Sequence, residues 1–122
     1  MSEAALVESP SLNKIIMDTL KPLNVPVASM RYNQTADTYI VFLTYNEAPE
    51  LNADDVEIIT KYFIQMDVFS SGNFTKLVKD VVRLMKDAGF GRMFASETYD
   101  EDMKKFRKIL RFDYETKIEE EV

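Results

Sequence analysis

The chain has 122 residues, a length that suits one domain with its own hydrophobic core. Its formal net charge of −6 argues against a surface for nucleic-acid phosphates or anionic membranes. The absence of cysteine excludes disulfides and thiolate metal sites, and the absence of histidine removes the commonest general base and metal ligand. The sequence contains no apolar stretch long enough for a membrane helix and no signal-peptide pattern at its start. We therefore expect a soluble protein that works where it is synthesised.

The first part of the chain predicts one helix and two strands. Residues 1–10 are small, acidic and polar, typical of a flexible N-terminal arm, and Ser11 can cap a helix that ends before Pro22. Strands are predicted at 27–32 and 38–45, joined by a loop whose length is common for a hairpin. The next ten residues, through Asp55, contain a proline and several acids, which predicts a mobile acidic connection.

The stretch 56–90 is the unit around which the rest of the chain is expected to pack. Its first part, 58–69, is rich in β-branched and aromatic residues. Large apolar side chains fall on both faces of this predicted strand, which is typical of a central strand rather than an edge strand.

A tight turn and an amphipathic helix complete this unit. Gly72 and Asn73 close a polar turn that supplies a candidate N-cap. From Phe74 onward, apolar residues recur at steps of three and four, which predicts a helix. Gly89 is placed to follow the C-cap, and Phe90 is expected to fold back onto the last turn.

The last part of the chain returns to strand patterning. Residues 91–96 form either a short strand or a loop, and 97–105 predict a helical turn. Alternation over 106–118 predicts a final strand, followed by a solvated acidic tail at 119–122. The whole chain, 1–122, is expected to form a single domain. The order of elements predicts an α+β fold, with an antiparallel or mixed sheet of four to five strands and two main helices packed on one face.

The predicted strands hold more aromatic side chains than two helices can cover. These are Tyr39, Phe42, Tyr45, Phe63, Phe69, Phe112 and Tyr114. Large apolar patches left on a surface usually mark contact with a partner. The surplus therefore predicts self-association, with plain over-filling of the core as the alternative.

Two acidic clusters have the composition of possible sites. Asp54, Asp55 and Glu57 form the first cluster, which could hold a hard cation such as magnesium, but the ligand spacing of a calcium loop is missing, which favours a solvated loop. Asp100, Glu101 and Asp102 could do acid–base work if one were buried, but lysines follow them closely, which favours a solvated segment that could bind a partner. Without histidine, cysteine or a glycine-rich phosphate cradle, no nucleophile can be paired with a base. The sequence therefore predicts no enzyme activity, no metal and no cofactor.

Asp67 is different because it lies inside the apolar central strand, between Met66 and Val68. A buried carboxylate must be paired or hydrogen-bonded, or it becomes neutral. Arg107 and Arg111 of the last strand are natural partners if that strand lies alongside. The sequence therefore predicts a structural ion pair across the sheet rather than a catalytic acid.

The outer face of the second helix is basic, through Lys76, Lys79, Arg83 and Lys86. Neighbouring aspartates and the net charge oppose nucleic-acid binding, so a solvated face is the default interpretation. The preceding turn could hold an anion but lacks the lysine and spacing of a P-loop.

Several short segments, in order along nearly the whole chain, resemble the small tail-terminator proteins of long-tailed bacteriophages, also called tail completion or tail-to-head joining proteins. They are IQMDVFS at 64–70, SGNF at 71–74, AGF at 88–90, ETYDED at 97–102 and LRFDYE at 110–115. Each is a fold signature rather than a catalytic motif. Phe106 and Arg107 depart from the family pattern, which has Tyr-His before the final strand.

The resemblance implies a ring, usually of six subunits, that sits on the last ring of the tail tube and catalyses no reaction. Such a ring stops tube elongation and presents a surface to the head. The implied partners are further copies of the chain, the major tail tube protein and the head–tail connector protein, with no nucleic-acid or membrane specificity. The implied location is the tail–head junction of the virion, after assembly in the host bacterial cytoplasm.

Two other classes of function stay open. One is a cytosolic protein-binding module that recognises a partner through an open sheet edge, or another subunit of a phage neck or tail. The other is a small enzyme that uses the acidic clusters.

Candidate interface residues lie in three segments expected to project from the sheet. They are Asn33, Gln34, Thr35 and Asp37 in the first, Glu47, Glu50, Asp54 and Asp55 in the second, and Tyr99, Asp100, Glu101 and Asp102 in the third. A second group is expected to hold the fold: Asp67, Arg111, Gly72, Asn73, Gly89 and Phe90.

Overall fold

The computed structural model describes residues 12–51 and 58–118. The predicted N-terminal arm, the acidic tail, and Asp54 and Asp55 lie outside the described residues. The elements are, in chain order, α1 (12–20), a 3-10 turn (Lys21–Leu23), β1 (Val27–Ser29), β2 (Tyr39–Leu51), β3 (Ile58–Ser70), α2 (Thr75–Asp87), β4 (Gly91–Asp100) and β5 (Lys105–Ile118).

The five strands form one mixed sheet in the order β1-β2-β3-β5-β4. β1 runs parallel to β2, and every other neighbouring pair is antiparallel. β3 is therefore central, as its two-sided apolar pattern predicts. The predicted α+β class is confirmed.

Both helices pack on the same face of the sheet and bury a single core. α1 contributes Ile16 and Leu20, and α2 contributes Val81 and Met85, all fully buried. The sheet side of this core is formed by fully buried residues of β2, β3 and β5: Ile40, Phe42, Ile64, Met66, Val68, Leu110 and Phe112. This burial of apolar surface, at about 25 cal/mol per Å² removed from water, is the main term that stabilises the fold.

The ends of α2 follow the local sequence. At its start, the Asn73 side chain accepts a hydrogen bond from the Thr75 N–H at 2.9 Å, although the N-cap residue itself is the following phenylalanine. At its end, Gly89 adopts a φ of 102°, a left-handed conformation that glycine takes without steric cost. The N–H groups of Gly89 and Phe90 then donate to the carbonyls of Lys86 and Met85, both at 3.0 Å. This is a Schellman motif, and it stops the helix.

The predicted hairpin between residues 27–32 and 38–45 is wrong. β1 ends at Ser29, and Val27 lies in parallel register with Ile40. Met30 turns the chain with a φ of 77°, and its N–H donates to the Phe42 carbonyl at 2.8 Å. The parallel direction lets Val27 pack against the common core, so tertiary burial rather than loop length decides how these strands pair.

The predicted acidic connection after residue 45 is partly wrong. β2 continues to Leu51 and pairs with β3 along its whole length, with a bulge at Tyr45. Pro49 lies opposite Thr60 within this ladder. A proline is tolerated there because β1 covers only the first residues of β2, so this part of β2 is an edge that needs no outward N–H.

The predicted helical turn at 97–105 is wrong for 97–100, and only 101–104 form a turn. Residues 91–100 form the single strand β4, which pairs with β5 as a hairpin. The chain reverses through Glu101–Lys104, where the Lys104 N–H donates to the Asp100 carbonyl at 2.7 Å. β4 satisfies the backbone groups on the outer side of β5, which a helical turn would leave unpaired.

Candidate interaction surfaces

The face of the sheet opposite the helices, here called the open face, carries aromatic and arginine side chains. Of the seven strand aromatics, Phe42 and Phe112 are fully buried on the helix side, where Tyr114 also stacks on Phe90 at 4.3 Å. Strand alternation places the other four on the open face: Tyr39, Tyr45, Phe63 and Phe69. Neither described helix covers this face, so the helices do not bury the aromatic side chains that lie on it.

A column of stacked rings crosses the open face at one end. Tyr32 stacks on Tyr39 at 4.4 Å between ring centroids, and Tyr39 stacks on Phe69 at 4.9 Å. The Arg107 guanidinium continues the column 5.7 Å from the Phe69 centroid. Burial, which is the largest cause, raises the pKa of the Tyr39 hydroxyl above its usual range. These contacts hold the side chains in one arrangement and leave a preformed surface.

Asp67 lies on the open face and is paired across the sheet. An Nη of Arg107 donates to its carboxylate at 2.8 Å, and the Gln65 side-chain amide donates to the same carboxylate at 3.2 Å. Arg111, the other partner considered from the sequence, instead donates through Nε to Gln65 at 3.1 Å. The Asp67 carboxylate is therefore held by one donor from the neighbouring strand β5 and one from its own strand β3.

The loop that holds Asn33 to Asp37 is anchored to the rest of the fold through Asp37. Its carboxylate accepts hydrogen bonds from the Ser71 hydroxyl at 2.6 Å and from the Lys105 ammonium at 3.3 Å. The Ser71 hydrogen bond, followed by that of Lys105, holds the pKa of Asp37 below its usual range. Gln34 and Thr35 lie exposed in the same loop.

The segment from Tyr99 to Asp102 closes the β4–β5 hairpin. The Asp100 carboxylate accepts the Met103 N–H at 2.9 Å, and the Tyr99 ring meets the Phe106 ring edge-on at 5.0 Å. Asp100 and Lys105 pair at the base of this turn, so the segment lies beside the loop that holds Asp37. The turns at 33–37, 71–73 and 101–104 together form one end of the sheet, here called the loop end.

The remaining predicted interface segment belongs to the opposite end. Glu47 and Glu50 lie on β2, which runs away from the loop end toward the backbone pairs Leu51–Ile58 and Ile58–Ile118. This second end is here called the far end of the sheet. The structure therefore brings together two of the three predicted segments and separates the third from them by the length of the sheet.

The sequence singled out only Tyr99 among the exposed apolar residues of the β4–β5 hairpin. These are Met93, Phe94, Tyr99, Met103 and Phe106, with between 38% and 51% of each residue exposed. The interpretation of 97–105 as a helical turn concealed the second half of the edge strand, on which Tyr99 lies. The alternation of Phe94, Ser96 and Thr98 against Ala95, Glu97 and Tyr99 is the signal that could have revealed an edge strand.

The described residues contain no group of three or more acidic side chains placed to hold a metal ion. None of the helices in the described ranges is long and apolar enough to cross a membrane. The turn before α2, considered as an anion site, uses its own polar groups: the Ser70 hydroxyl accepts the Gly72 N–H at 3.1 Å, and Asn73 accepts the Thr75 N–H. Its geometry is that of a helix start.

Comparison by sequence finds no matching protein-family model and no matching curated protein. Comparison by structure finds a chain in the virion of a native gene transfer agent (GTA) particle, with a TM-score of 0.55 and 14% sequence identity. The match covers 82% of this chain and 84% of that chain. At this identity it establishes a shared fold.

Proposed function

We propose that this protein is a structural subunit of a phage virion that forms a ring at the end of the tail tube, stops tube elongation and joins the tail to the head connector. Two independent lines support the proposal. One is the ordered resemblance of the sequence to tail-terminator proteins. The other is the fold shared, over most of both chains, with a chain of a gene transfer agent virion. The second line carries the proposal because it does not depend on the quoted sequence segments.

The distribution of the candidate interface residues suits such a ring. A subunit between a tube and a connector needs two different surfaces at opposite ends. The loop end presents Gln34, Thr35 and the 101–104 turn, whereas the far end of the sheet presents Glu47 of β2. The open face and the exposed side chains of the β4–β5 hairpin leave further surface for neighbouring subunits. The mechanism is geometric, since one face of the ring fits the tube subunits and the other rejects further tube protein.

The direct test is tube assembly in the presence of the protein. Purified tube protein is polymerised with and without a stoichiometric excess of this chain, and tube lengths and ends are measured by negative-stain electron microscopy. We expect shorter tubes that carry an additional ring at one end, and a complex whose mass by light scattering fits a closed ring, a hexamer in the simplest case. Tubes of unchanged length with bare ends would contradict the proposal.

The second candidate function is a protein-binding module that takes up an extended segment at a sheet edge. The exposed strand β4, whose outer side is unpaired in the described part of the chain, favours it. A protein that stays monomeric with tube protein but binds an extended peptide along β4 would support this candidate over the ring.

A further inference from the structure

A groove of about 480 Å³ runs between α2 and the β4–β5 edge of the sheet. Its lining has two parts. Val78 and Val82 form an apolar wall on the α2 side. The remaining side chains are five cations and one acid: Lys79, Arg83, Lys86, Arg92, Lys108 and Asp87. The groove is basic although the chain has a net charge of −6, and three of its cations belong to the basic outer face of α2.

Part of this positive charge is not neutralised within the described residues. Lys108 lies 3.6 Å from Glu97, and Arg83 lies 3.4 Å from Asp80. For Lys79, Lys86 and Arg92 the described ranges offer no carboxylate within ion-pair distance, and all three are exposed. Like charges gathered in one groove repel each other unless a partner supplies acids.

The groove lies beside one free edge of the sheet, and β2 provides a second free edge on the other side. β1 covers β2 only up to Phe42, so the part of β2 that follows has unpaired backbone groups on its outer side within the described residues. Tyr45 and Glu47 are exposed on this part, and Glu47 has no described cation within ion-pair distance. Exposed edges with free N–H and C=O groups are templates for strand pairing.

The directions and faces of these two edges are compatible. The sheet order and the antiparallel pairs make β4 run opposite to β2. A second copy in the same orientation would therefore present its β2 antiparallel to β4, with the first residues of β4 near the residues of β2 between Phe42 and Pro49. Arg92 pairs with Phe112 and Glu47 pairs with Tyr62, both buried on the helix side, so Arg92 and Glu47 share that face.

We propose that the outer edge of β2 in one copy docks on β4 and the basic groove of the next, with Glu47 opposite the cations of the groove. The contact joins two different surfaces, so repetition with rotation closes a ring. The inference rests on the proposed function only in that both require self-association, and it identifies the surfaces that the subunits use.

Disulfide trapping tests this contact cleanly, because the chain contains no cysteine. Glu47→Cys and Arg92→Cys proteins are mixed under mild oxidation, and crosslinked dimers are measured on non-reducing gels. An intrachain bond in the double variant is excluded, since the two residues lie three strand steps apart, about 14 Å, beyond the roughly 7 Å between Cα atoms that a disulfide spans. The control pairs Arg92→Cys with Met17→Cys, which is exposed on α1.

We expect the Glu47→Cys and Arg92→Cys pair to form heterodimers about tenfold faster than the control pair, because docking holds the two thiols within disulfide distance. These substitutions remove Glu47 and Arg92, so charge is tested in the chain that keeps both. There, Lys79→Glu with Lys86→Glu should weaken self-association measured by light scattering, because it replaces cations that lie opposite Glu47. The same charge change at exposed Lys21→Glu and Arg31→Glu should leave self-association unchanged. Equal trapping rates in the test and control pairs would overturn the inference, as would self-association unaffected by the groove substitutions.

The double variant Glu47→Cys/Arg92→Cys separates this inference from the proposed function. If the oxidised double variant forms a ladder of disulfide-linked multimers but the wild-type protein does not cap tubes, the contact is supported and the proposed function is contradicted. Tube capping by the wild-type protein without any ladder would support the function and overturn the contact.

Discussion

Arg107 and Asp67 form an ion pair on the open face, with 2.8 Å between the guanidinium nitrogen and the carboxylate oxygen. The Asp67 side chain is only 14% exposed and the Arg107 side chain 34%. The pair therefore ties β5 to β3 in a partly desolvated position, where the loss of one partner costs more than at a fully exposed site.

Arg107→Met should lower the free energy of unfolding by about 1–3 kcal/mol, because it leaves a partly buried carboxylate with fewer donors. Arg111→Met is the matched control on the same strand and face. Arg111 donates to the neutral Gln65 amide and has no carboxylate within ion-pair distance among the described residues, so its loss should cost less. Urea unfolding followed by circular dichroism measures both. Equal losses would show that the charge pairing of Asp67 contributes nothing specific.

Gly89→Ala should destabilise the protein by about 1 kcal/mol, because alanine is disfavoured in the left-handed conformation that ends α2. The added Cβ would lie 3.7 Å from the Tyr114 ring, an ordinary contact, so the cost is one of backbone conformation. Gly72→Ala is the control, since its Cβ would meet no atom within 4 Å. Thermal unfolding should show a lower Tm for Gly89→Ala and little change for Gly72→Ala. A Tm lowered more by Gly72→Ala than by Gly89→Ala would argue against a Schellman motif at the end of α2.

The carboxyl of Asp37 should titrate below its usual range, because Ser71 and Lys105 hydrogen-bond to its charged form. The folded-state pKa lies below that of the unfolded chain, so this contribution to stability is present above the unfolded pKa. It is lost as the pH falls through the folded pKa. Carboxyl NMR titration measures the midpoint. Ser71→Ala should raise it toward the ordinary value, and an unchanged midpoint would mean that the hydrogen bond does not hold in solution.

Asp80 is an internal comparison for the same titration. Its pKa is also held low, first by the Lys76 hydrogen bond and then by that of Arg83, on the exposed side of α2. Ser71→Ala should leave the Asp80 midpoint unchanged, because the two carboxylates belong to separate hydrogen-bond groups. A shift of both would indicate a global change in the fold.

Met93→Glu should abolish ring formation and tube capping while changing the free energy of unfolding by no more than about 0.5 kcal/mol, as is usual for exposed positions. Met93 is the bulged residue of β4 and is 51% exposed, beside the groove that we propose as a subunit contact. Met17→Glu introduces the same side chain at a residue 42% exposed on α1. Light scattering and electron microscopy compare the two variants. If both behave as the wild type, β4 is not an interface.

Several parts of the fold follow from local patterns. The two-sided apolar run of β3, the helical period of α2 and the glycine at its end each specify an element through interactions within a few residues, and each is present close to its predicted position. Asp67 likewise required a charged partner wherever the last strand lay. The register between β3 and β5 places Ile109 opposite Asp67, with Arg107 and Arg111 two residues away on either side, and no short segment contains that register.

Local sequence patterns did not predict how the strands pair. The short segment at 27–29 pairs parallel to β2, with Val27 partly buried against the core, and residues 97–100 pair with the outer side of β5. Both outcomes depend on residues far away in the chain. Local propensity is a weak determinant when burial and backbone hydrogen bonding favour another structure.

The sequence by itself determined the class of fold, the core strand and helix, and the surplus of aromatic side chains over what two helices can cover. Hydrophobic periodicity and turn chemistry act within single elements, so these features can be predicted from the sequence. Only the tertiary structure decided which candidate interface residues share an end of the sheet, and that Arg92 and Glu47 lie on one face at opposite free edges. These relationships arise from strand order, and strand order is settled by long-range packing.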